Sequence, residues 1–137
     1  MTETEAVERL QAVLAHLWMI RTFLKHADEV TEDEQLIEIP RLLYDSIRAA
    51  EPSFLRKDYP TYLRRLKGKI GKLRKGAELF AREYSRVSAH TNFEMASLSL
   101  TGSVRQMEDI FARLSKPVEA APEDEIPESQ DSGEGTG

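Results

Sequence analysis

Cysteine is absent from this 137-residue chain, so no disulfide framework, thiolate zinc site, iron–sulfur cluster or cysteine nucleophile can be built from it. Long apolar runs are missing too: "LAHLWMI", residues 14–20, falls far short of the ~20 residues that a membrane span needs. The opening "MTETEAVERL" is acidic and lacks the basic and apolar regions of a signal peptide, which predicts a cytoplasmic chain and no membrane partner. No stretch alternates polar and apolar residues long enough to argue a strand. The three histidines, His16, His26 and His90, enter no ExxH, HxxxH or HExxH pattern, so the expectation is no metal and no cofactor.

What remains is an apolar stripe of period 3.6 that recurs four times, which argues an all-α protein. The first helix is expected over about 5–27, with Val7, Leu10, Val13, Leu14, Leu17, Ile20 and Leu24 on one face. A second, over about 31–50, is expected to start at the capping-box pattern "TEDE", with Thr31 and Glu34, and to kink or restart at Pro40. "EPSFLRKDYP" reads as a connection, with Pro60 in the first turn of the next helix. The third helix, about 59–87, keeps Leu63, Leu66, Ile70, Leu73, Ala77, Phe80, Tyr84 and Val87 in unbroken steps of three and four. The fourth, about 91–116, is expected to be capped by Thr91 with Glu94 and stopped by Pro117. Short connections favour antiparallel neighbours. The expected architecture is an up-down-up-down four-helix bundle over residues 1–116 and a disordered acidic tail over 117–137.

Charge is distributed unevenly. The tail holds seven acidic residues and no basic one, and residues 1–116 carry nineteen basic and seventeen acidic side chains. Between Arg56 and Lys75 nine basic residues face Asp58 alone. The glycines of "GKIGK" sit inside the third helical register, lack the GxxxxGK[ST] spacing and follow no strand, so a phosphate loop is excluded. On a helix, Arg64, Lys67, Lys72, Arg74 and Lys75 become an outer stripe suited to an anionic partner, either nucleic acid or an acidic protein. The plainer alternative is a solvated face. Gly68, Gly71 and Gly76 each cost about 1 kcal/mol in a helix interior, and close approach of a phosphate strand or another protomer's helix would explain them. The acidic tail could also occupy the basic face and act as a brake.

Arg21 falls within the apolar arc of the first helix, where a carboxylate partner or a cleft is expected. "RTFLKH" spaces Arg21 and His26 as R-x4-H, and on these residues the chain resembles the HEPN family of small all-helical ribonucleases. That resemblance implies metal-independent RNA cleavage in a homodimer, with His26 as acid or base and Arg21 stabilising the transition state. The motif here lies on the first helix, with Thr22 after the arginine. Three readings follow: a non-enzymatic interaction bundle working through the basic stripe, a ribonuclease using Arg21 and His26, and a structural scaffold that dimerises.

Overall fold

The computed structural model describes residues 1–123, and these are all-helical: five helices and no strand. Helix α1, Glu3–Lys25, begins with a capping box in which the Glu5 amide donates to Thr2 Oγ1 (3.1 Å) and the Thr2 amide to Glu5 Oε1 (2.9 Å). Its apolar stripe, Leu10, Leu17 and Leu24 among it, is buried as the periodicity requires.

The second helix departs from expectation. Thr31 does not cap it; Thr31 ends a single turn, α2, Asp28–Thr31, and α3 spans Glu38–Leu55. Asp33 takes the local polar role instead, its Oδ2 accepting from the Gln35 (3.1 Å) and Leu36 (2.9 Å) amides. Pro40 is the third residue of α3, inside the first turn, where a missing N–H costs no intrahelical bond. The proline therefore marks a beginning and no kink. The expected connection also shrinks, because Pro52 lies in the last turn of α3 and only residues 56–58 link it to the next helix.

That short link closes α3 with paired bonds, the Asp58 amide to the Ser53 carbonyl (2.8 Å) and the Lys57 amide to the Phe54 carbonyl (3.0 Å). The pattern is a Schellman cap, which needs a left-handed residue after the C-cap. Lys57 supplies it, with φ at 60°. Helix α4, Tyr59–Val87, then starts with Asp58 accepting from the Thr61 amide at 3.3 Å and Pro60 in its first turn. The last helix, α5, runs Thr91–Ala112. Its cap is His90, whose Nδ1 accepts from the Asn92 amide at 3.0 Å, so the expected Thr91–Glu94 box is replaced by the residue before it. The helix ends four residues before the expected Lys116.

One core joins the four long helices, with Leu10 and Leu17 of α1, Leu43 of α3, Leu63, Leu66 and Phe80 of α4, and Leu100 and Met107 of α5 all inside. Burying each such side chain contributes roughly 1.5–3 kcal/mol. Tyr62 is also enclosed, its hydroxyl donating to Gln11 Oε1 at 2.8 Å. Helix α4 packs along α3 and α5, and α1 packs on those two and more sparsely on α4. At one end Phe54 of α3 packs on Tyr59 and Tyr62 of α4. At the other, Arg86 of α4 grips Asp33 with two bonds of 2.8 and 3.1 Å, and Phe23 of α1 meets Phe93 of α5. No helix of the described residues is long and apolar enough to cross a membrane.

The expectation of disorder from Pro117 onward is corrected over its first part. After α5 the chain runs on to cross α4, and Ala121 is buried there. The rest of the expected tail, 124–137, lies outside the described residues.

Candidate anion-binding face

The face is built on α4. Leu66, Ile70, Leu73 and Ala77 turn to the core. At 100° per residue the side opposite them carries Arg64, Gly68, Gly71 and Lys75, and a solvent-exposed Gly68 is expected there. Gly68 is nevertheless buried. What covers it is the segment Val118–Glu123, which we call the strap.

Among the described residues the strap is held by hydrogen bonds in which the Ala121 amide donates to the Arg64 carbonyl (2.9 Å), Lys67 Nζ to the Val118 carbonyl (2.6 Å) and Lys69 Nζ to the Glu123 carbonyl (2.9 Å). A Cβ on Gly68 would collide with the Ala121 carbonyl oxygen and lie 3.1 Å from its carbon. At Gly71 a Cβ would meet Glu123 Oε2 at 3.1 Å. Gly68 thus does serve close backbone approach, and the backbone is the chain's own, whereas the neighbour at Gly71 is a side-chain oxygen. Gly76 answers to a different neighbour, since a Cβ there would lie 2.6 Å from Leu42 Cδ2 of α3. Gly68 and Gly76 are both buried in the packing of α4.

The expected stripe of five cations is divided. Arg64 and Lys67 are half-buried beneath the strap, while Lys72, Arg74 and Lys75 are exposed. Arg74 is drawn aside to α5, its Nε donating to Glu108 Oε2 at 2.7 Å. Lys72 and Lys75 border a shallow groove between α3 and α4 of about 330 Å³, floored by Ile39, Leu42 and Leu79 and also edged by Glu38, Arg41 and Asp45. Lys69, which the stripe pattern omitted, belongs to the face through its bond to the strap. No side-chain periodicity could reveal it, because the bond goes to a main-chain carbonyl.

Arg21 and His26 sit in different surroundings, Arg21 buried and His26 exposed. Arg21 is 9% exposed, and its guanidinium carbon lies 4.4 Å from the Trp18 ring centre and 5.1 Å from that of Tyr44. Arg48 faces the same two rings at 5.5 and 5.2 Å and bonds Glu51 at 2.6 Å. The cost of placing Arg21 at the seam of α1 and α3 is met by ring faces, each cation–π contact contributing about 0.5–2 kcal/mol. His26 is exposed at the end of α1, its Nδ1 3.0 Å from the Thr22 carbonyl. Five helical residues separate the two by about 140° around the axis. His90 serves as the cap of α5, and His16 lines a separate shallow depression with Arg9 and Asp109. Among the described residues no three His, Cys, Asp or Glu side chains gather as metal ligands.

Comparison of the chain with protein-family models, with curated proteins and with solved structures finds no match.

Proposed function

We propose that the chain is a non-enzymatic cytoplasmic interaction protein, an antiparallel up-down-up-down bundle that takes an anionic partner on the basic outer face of α4. The topology is supported by contacts that join the start of α4 to the end of α3 and the end of α4 to the turn before α3. One observation carries the function: the four lysines of α4, Lys67, Lys69, Lys72 and Lys75, make no ion pair among the described residues. Lys67 and Lys69 spend their ammonium groups on neutral carbonyls. Lys72 and Lys75 are exposed and make no ion pair among the described residues. Exposed cations on one helix that make no ion pair raise the local potential that attracts phosphate or carboxylate groups.

The ribonuclease reading gains no support from Arg21, whose guanidinium sits on two aromatic rings. The test of the leading reading is fluorescence anisotropy of labelled oligouridylate and of labelled polyglutamate over a salt series. Binding through about three cations gives a log–log salt slope near −2 on single strands. Replacing Arg64, Lys67, Lys72 and Lys75 together with glutamine should abolish it with helix content intact. Unchanged affinity for both polyanions would overturn the proposal.

A further inference from the structure

We infer that the outer face of α4 from Arg64 to Gly71 is a groove for an extended acidic polypeptide strand, with Val118–Glu123 as its internal occupant and a partner strand of like chemistry displacing it. The inference rests on the anionic-partner reading and narrows the partner from a polyanion to a polypeptide.

The contacts read a peptide main chain. Two lysines donate to strap carbonyls, at Val118 and Glu123, while the Arg64 carbonyl accepts the Ala121 amide between them. A nucleic-acid backbone offers many acceptors to lysines, but for the Arg64 carbonyl it has at most a ribose hydroxyl. A peptide presents donor and acceptors at this spacing in every extended stretch, the logic by which main-chain bonding gives affinity to peptide recognition. Gly68 completes the groove, because only a residue without a side chain lets the Ala121 carbonyl lie against the helix.

Side-chain preferences follow from burial. Val118 is half-buried and Ala121 buried, while Glu119, Ala120, Pro122 and Glu123 are exposed. The groove therefore asks for small apolar residues three apart on the inner side and acids on the outer side, beside Lys67 and Lys69. The strap itself is in neither helix nor strand, and among its described residues only Ala121 is fully buried while Val118 is half-buried. Such an occupant is displaceable, yet being tethered it competes at an effective concentration on the order of millimolar.

The experiment uses the full chain and a fluorescein-labelled peptide of residues 117–128. Ala121→Arg puts a long cation where the strap must be small, emptying the groove without touching any helix. The peptide should bind this variant at least tenfold tighter than the wild-type chain. Adding Gly68→Ala to Ala121→Arg fills the groove floor and should remove peptide binding, while salt-dependent oligouridylate binding through Lys72 and Lys75 persists. Circular dichroism reports that each variant keeps its helices. Equal peptide affinity for wild type and Ala121→Arg, or binding indifferent to Gly68→Ala, overturns the peptide groove. If those results come with oligouridylate binding that the four glutamines abolish, the basic face stands and only the groove falls. Should neither ligand bind any variant, both readings fall.

Discussion

Gly68→Ala sets helix propensity against tertiary contact, and the structure says which wins in which background. In an exposed helix interior the substitution stabilises by about 1 kcal/mol, because glycine loses the most backbone entropy on folding. Here the new Cβ meets the Ala121 carbonyl, a main-chain atom that cannot rotate away as a side-chain end could. The strap has to leave. A strap docked nine-tenths of the time is favoured by roughly 1.4 kcal/mol at least, and that contribution disappears with it. The full chain should therefore be unaffected or slightly destabilised by Gly68→Ala. Once Ala121→Arg has already evicted the strap, the same substitution should stabilise by about 1 kcal/mol, near the intrinsic helical difference. Urea denaturation of the four chains of this double-mutant cycle measures the coupling, and hydrogen exchange at the Ala121 amide reads the strap directly. Equal stabilisation in both backgrounds, within the roughly 0.3–0.5 kcal/mol expected of independent sites, together with unchanged Ala121 protection, would refute the reasoning.

Two further outcomes test the fold. Lys57 holds a left-handed conformation, with φ at 60°, which costs a non-glycine residue roughly 1–2 kcal/mol. Lys57→Gly should stabilise the chain by about 0.5–1 kcal/mol after glycine's own entropy cost, and an unchanged urea midpoint would contradict the cap geometry. Asp33 has its carboxyl lowered from 3.8 to about 2, first by the Arg86 guanidinium and next by the Leu36 amide. A group depressed in the folded state contributes stability above its unfolded value and loses it as pH falls through the folded one. The difference in urea midpoint between wild type and Asp33→Asn should hold steady above pH 5 and shrink from about pH 4 toward about pH 2; a pH-independent difference would sink the assignment.

Much of the fold was legible in the linear pattern. The stripes of α1 and α4 map onto the core, and the long register of α4 by itself excludes a phosphate loop. Boundaries read less well where two signals competed. "TEDE" offered a capping box at Thr31, but Asp33 is held by Arg86 and bonds the following amides, so the helix begins later, with Pro40 in its first turn. At α5 the imidazole of His90 supplied the acceptor that Thr91 was expected to provide.

The candidate site divides along the same line. Spacing alone determined that the cations of residues 64–75 share a helix and that most avoid its core, because helical geometry is local and repeats every 3.6 residues. Tertiary structure alone decided which of them face solvent, which meet Glu108, and which lie beneath Val118–Glu123. The strap touches α4 largely through main-chain carbonyls and one main-chain amide, so the identity of its own side chains could not announce it. Its one compositional trace is Gly68, whose lack of a side chain leaves room for a backbone some fifty positions away in the chain.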